Sequence, residues 1–69
     1  MSASYAKLRG KIREVFGSQD AFALDMGMDR STVSLKLNGK SDWTRNEIEK
    51  ACYLLHIPIE EVHDYFFTL

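Results

Sequence analysis

Apolar residues fall at helical spacing throughout this 69-residue sequence, and no stretch sustains the two-residue alternation of a strand. Gly17, Gly27, Gly39 and Pro58 punctuate the pattern into five short segments. In the first, Ser4 to Phe16, the residues Tyr5, Leu8, Ile12, Val15 and Phe16 share an apolar face opposite Lys7, Lys11 and Arg13. Gly10 lies inside it at a cost of about 1 kcal/mol relative to alanine. Gly17 supplies the left-handed residue that closes a helix. The second segment begins at Ser18, a good N-cap, with Asp20 in the first turn where the helix dipole favours an acid. Phe22, Ala23 and Met26 form its inner face. The third begins at the cap residue Asp29, turns Val33 and Leu37 inward and ends at Asn38-Gly39. Thr44 and Glu47 make a T-x-x-E capping box ahead of the fourth, whose buried stripe is Ile48, Cys52 and Leu55 with Ala51 beside it. Pro58 suits the first turn of the fifth, with Ile59, Val62 and Phe66 inward. The pattern predicts one all-α domain of five short helices spanning residues 1–69.

Composition narrows what such a domain does. The chain is 45% hydrophobic and 28% charged, a globular balance. A domain this small buries only about 60% of the surface its unfolded chain exposes, leaving little room for a deep catalytic pocket beside a core. The single cysteine excludes an internal disulfide and fits a reducing, cytoplasmic setting. The N-terminal MSASYAKLRGK has no apolar stretch of signal-peptide length, and the longest apolar run, Ala51 to Leu55, is far too short to span a membrane. Cys52, His56 and His63 do not make a convincing metal set, since Cys52 fits the apolar stripe of its helix. No nucleophile-and-base pair, paired carboxylates or phosphate-cradling loop points to an enzyme, and no cofactor is expected.

The net charge of −1 argues at first against nucleic acid. Its distribution changes that picture. Residues 1–45 carry eight basic and five acidic residues, an excess of +3, and residues 46–69 carry one basic and five acidic residues, an excess of −4. A basic stretch is followed by an acidic one.

The basic stretch contains the most informative run, Gln19 to Gly39. Two short helices are separated by Gly27-Met28-Asp29, with the small Ala23 where they approach and with Met28 and Val33 as apolar anchors. Arg30, Ser31 and Thr32 open the second helix. This is the layout of a helix-turn-helix, whose second helix enters the DNA major groove by its N-terminal end. The run QDAFALDMGMDRSTVSLKLNGK resembles the helix-turn-helix of phage Cro and repressor proteins, the lambda-repressor-like family, without a gap from Gln19 to Lys40. More narrowly, SLKLNGK-x-x-W and the C-terminal EVHDYFF are similar to small lysogeny-switch proteins of temperate phages of Gram-positive bacteria, some of which act by binding a partner repressor.

The resemblance implies a compact five-helix lambda-repressor-like domain with a recognition helix at about 30–37. It implies roles by position. Arg30 and Ser31 match the base readers, and Ser34 lies one turn further on. Gln19 and Asn38 match phosphate contacts, with Lys40 and Arg45 as nearby point charges. The expected partners are double-stranded operator DNA, a partner phage repressor and a second copy in a homodimer. Two positions depart from the family pattern: Lys36 stands where a core aliphatic is usual, and Leu35 where a polar reader is usual. Either the helix is rotated or its outward face is not purely a DNA reader. Tyr65, Phe66, Phe67 and Leu69 make an apolar tail whose members cannot all face one core. Leu35 and Phe67 are therefore the candidate partner-interface residues. Two functions follow: a Cro-like DNA-binding regulator of a lysogeny switch, or a modulator that binds a partner repressor through the same fold.

Overall fold

The computed structural model describes residues 5–67. Each predicted segment becomes a helix, and the described residues contain no strand: α1 (Ala6–Phe16), α2 (Gln19–Met26), α3 (Arg30–Leu37), α4 (Arg45–Leu55) and α5 (Val62–Phe66), with a single 3-10 turn, Ile59–Glu61, leading into α5. Ser4 and Leu69 lie outside the described residues. Two caps form as the sequence predicts. The Ala21 N–H donates to Ser18 Oγ at 3.2 Å. The Thr44 N–H donates to Glu47 Oε1 at 2.9 Å, and the Glu47 N–H donates to Thr44 Oγ1 at 3.2 Å, a complete capping box. Asp29 holds the N-cap position of α3, but its side chain makes no capping hydrogen bond. Gly27 closes α2 at φ +74, and nothing lies within 4 Å of a Cβ built there. The turn needs glycine for its left-handed backbone rather than for space. At the end of α4 the same conformation falls to a non-glycine residue, His56, at φ +58.

The core collects Leu8 and Ile12 of α1, Phe22 and Ala23 of α2, Val33 and Leu37 of α3, Ala51 and Leu55 of α4, and Phe66 of α5. Helix α2 sits at the centre, packing on α1, α3 and α4, while α5 closes the bundle against α1. Several expectations are corrected. Val15 is exposed at the rim, and Ile48 and Cys52 are only partly buried. Ile59 is 85% exposed, because α5 starts only at Val62; Ile57 fills the core in its place. In the C-terminal segment Tyr65 and Phe66 are buried and Phe67 points outward at 53% exposure. Trp43 covers the core edge ahead of α4. Its ring meets Phe66 edge-on with centroids 5.4 Å apart and Tyr5 at 6.5 Å.

Lys36 is a charged residue inside this core edge, with only 6% of its surface accessible. Its ammonium donates to the Asp42 carbonyl at 2.6 Å, pairs with Glu47 Oε1 at 3.0 Å and lies 5.9 Å from the Trp43 ring centroid. It is not part of a solvated helix face. Lys36 points inward, and its buried charge is met there by a carboxylate, a carbonyl and an aromatic face.

The Glu47 oxygen that receives Lys36 is the one that caps α4. Burial acts to raise the Glu47 carboxyl, but the Thr44 N–H and the Lys36 ammonium outweigh it and hold the group below the usual glutamate range. A carboxylate depressed in the folded state stabilises above its unfolded pKa, and that contribution is lost as pH falls through the folded value. The Glu47 contribution is therefore expected to be full above about pH 5 and to fade below about pH 4, and Glu47→Gln removes this part of the acid dependence of unfolding. Glu47→Ala, which leaves Lys36 buried without its counter-charge, is expected to cost about 3 kcal/mol in denaturant unfolding. Lys36→Met removes the buried charge itself and should cost roughly 1 kcal/mol or less. Equal losses in the two variants would show that the pair does not carry this asymmetry.

Candidate functional site

The residues singled out from the sequence gather mostly on and around α3. Arg30 and Ser31 open the helix and are exposed. Arg30 does not extend free into solvent: its Nη1 lies 3.6 Å from Asp20 Oδ2 of α2, an exposed pair of small energetic weight. Ser34 is half-buried, and its Oγ accepts from Asn38 Nδ2 at 3.4 Å. Leu35 lies between these polar groups with 47% of its surface exposed. Asn38 and Lys40 follow the helix, and the Lys40 N–H bonds to the Leu35 carbonyl at 2.9 Å. Gln19 is the first residue of α2 and is half-buried. Arg45 stands apart: its Nε pairs with Glu49 on its own helix at 3.3 Å, and among the described residues no hydrogen bond or ion pair joins it to Gln19 or Asn38.

A residue that pattern reading used only as a charge links the rest. Arg9 Nη2 donates to the Leu37 carbonyl at 2.9 Å and to Asn38 Oδ1 at 2.5 Å, tying α1 to the carbonyl end of α3. A cation there also suits the negative end of the helix dipole. Arg9 also lines a recess with Arg13, Gly17, Ser18 and Gln19. The signal was the Arg9/Arg13 spacing of one helical turn, which places both on one face of α1. Lys50 makes a similar tie, donating from α4 to the Met26 carbonyl at the end of α2 at 3.3 Å. Phe67 follows α5, its ring 5.7 Å from that of His63, and lines a recess with Tyr5, Asp42, Trp43, Ile48 and Phe66.

Among the described residues no three His, Cys, Asp or Glu side chains converge as a metal set. No helix of the described residues is long and apolar enough to cross a membrane. Burial raises the Cys52 thiol above its usual range, which makes it a sluggish nucleophile.

These features define a small, five-helix all-α protein that presents α3 at its surface. The chain belongs to the family described as Protein of unknown function (DUF739), whose model matches residues 1–69. It is similar to a solved structure, the modulator of repression (MOR) of the temperate bacteriophage TP901-1 from Lactococcus lactis, at 46% sequence identity over 97% of this chain and 90% of that one, with a TM-score of 0.84. No curated protein matches the chain. The solved relative is a temperate-phage protein, in line with the narrower of the two sequence resemblances.

The tie from α1 to α3 has a direct test. Arg9→Ala is expected to cost about 1 kcal/mol of stability and to raise amide hydrogen exchange at the end of α3 more than in α1, as read by heteronuclear NMR. Uniform exchange changes across the chain would show that Arg9 does not hold α3 locally.

Proposed function

We propose that this chain regulates a phage lysogeny switch by binding a partner repressor protein. The observation that carries the proposal is the likeness, over nearly the whole chain, to a protein described as a modulator of repression. Three features of this chain support partner binding over DNA as the main activity. The net charge is −1, so general attraction to a phosphate backbone is weak. Two cations near α3 already have carboxylate partners, Lys36 with Glu47 and Arg30 with Asp20. Leu35, on a surface otherwise made of Arg30, Ser31, Ser34 and Asn38, offers the apolar centre with a polar rim that protein interfaces favour. Phe67 adds a second exposed apolar contact. A repressor held on this surface would be kept from its operator by occlusion, with no chemistry needed.

A second reading, sequence-specific operator binding through a helix-turn-helix, draws on Arg30 and Ser31, both exposed at the start of α3, and on the +3 charge of residues 1–45. In it Arg30, Ser31 and Ser34 read bases, and Gln19, Asn38, Lys40 and Arg45 hold phosphates. Arg9 is a further phosphate candidate beside Gln19.

The two readings separate cleanly. Mixed with the repressor encoded beside it, the protein is expected to elute as a stable complex in size-exclusion chromatography at micromolar concentration, and Leu35→Asp is expected to weaken that complex by about tenfold or more. A partner that stays separate under these conditions would falsify the leading proposal. On operator DNA of the same locus, a mobility shift that weakens steeply with salt and disappears in Arg30→Ala would favour the second reading.

A further inference from the structure

On the side formed by α4, the 3-10 turn and α5, an apolar groove is lined by Ile48, Cys52, Ile57, Ile59 and Val62, with Glu49 at its lip. Its apolar character was invisible in the helical pattern, which placed Ile59 in the core; the structure leaves Ile59 85% exposed at the edge of the groove. The neighbouring carboxylates are unusual in being free. Glu60 and Glu61, next to Ile59 in the chain, are exposed and have no ion-pair partner among the described residues. Glu49 meets only Arg45, in an exposed pair. No cation lines the groove, and Lys50 is turned away toward the Met26 carbonyl. An apolar floor therefore sits within the −4 half of the chain, with Glu49, held only by an exposed pair to Arg45, in its lining and with Glu60 and Glu61, unpaired among the described residues, next to Ile59 in the chain.

We propose that this groove is a docking site for a basic amphipathic helix of a partner protein, one whose apolar stripe is edged with Lys or Arg. Apolar anchors at i, i+3 or i+4 and i+7 of such a helix fill the floor, and flanking cations meet Glu60, Glu61 and Glu49. Nucleic acid and anionic lipid surfaces are disfavoured by the same carboxylates that attract a cationic helix. The proposal does not rest on the repressor reading, since it concerns α4 and α5 rather than α3.

The probe is a helix-forming peptide of about 15 residues, built of Leu and Lys with Leu at the anchor spacing, compared with its Leu/Glu counterpart. Titration of the isotope-labelled protein should shift the amides of Cys52, Ile59 and Val62 saturably and slow iodoacetamide alkylation of Cys52; the Leu/Glu peptide should do neither. Ile59→Asp, at an exposed position that leaves the fold intact by circular dichroism, should abolish the effect. Glu60→Gln with Glu61→Gln should weaken binding about fivefold at low salt and flatten its salt dependence. Equal binding of the two peptides, shifts centred on Leu35 instead of the groove, or concentration-dependent shifts of the same groove residues without peptide, which would mean a second copy is the occupant, would each overturn the proposal. Failure to bind the repressor in size-exclusion chromatography leaves every one of these outcomes readable.

Discussion

The contact on which the surface of α3 depends is the one between Lys36 and Glu47. Helix α3 packs chiefly on α2 and buries Val33 and Leu37 in the core, and polar ties add to this at its C-terminal half. One oxygen of Glu47 accepts both the Thr44 N–H, which starts α4, and the Lys36 ammonium, which anchors α3. A buried lysine is costly unless its charge is met, and here the carboxylate, the Asp42 carbonyl and the Trp43 face all meet it. The same atoms therefore cap one helix, seat another and order the intervening loop. Arg9 adds a second tie at the end of α3, from α1.

This anchoring decides which residues α3 shows. With Val33, Lys36 and Leu37 held inward, Leu35 faces out, because it lies about 200° around the helix from both Val33 and Leu37. The outward face becomes a polar surface with one apolar residue near its middle. Lys36 spends its charge inside the protein on Glu47, and Arg30 pairs with Asp20 at the surface. The protein carries a small net negative charge and leaves Leu35, Ile59 and Phe67 exposed. The −4 half of the chain, with Glu60 and Glu61 unpaired among the described residues, lies on α4, the 3-10 turn and α5 rather than on α3.

Much of this architecture was legible before any coordinates. The helices begin and end where caps and glycines place them: Ser18, the Thr44/Glu47 box, Gly17 and Gly27 act locally, through bonds to residues three or four positions away, and local chemistry is what a sequence displays. Less legible were positions whose burial depends on distant partners. Val15 and Ile59 match the helical pattern yet end exposed, while Ile57, in an irregular link, is buried. Asp29 sits where a capping side chain belongs and makes no capping bond. The left-handed end of α4 at His56 had no glycine to announce it. Of the candidate site, Arg30, Ser31 and Leu35 were found by their register in the motif, whereas Arg9 was missed because its partners, Leu37 and Asn38, lie 28 and 29 residues away.

The sequence by itself determined an all-α chain of five short helices, the placement of their caps, and the division into a basic stretch and an acidic one. It also marked Lys36 and Leu35 as departures from a familiar pattern, without saying how they are accommodated. That was decided by tertiary structure. Whether a lysine at an inward position rotates its helix, unpairs or is neutralised depends on what arrives beside it from α4 and the preceding loop. Periodicity records only which way a side chain points; the carboxylate that allows Lys36 to stay there is brought by the fold of the chain, 11 residues further on.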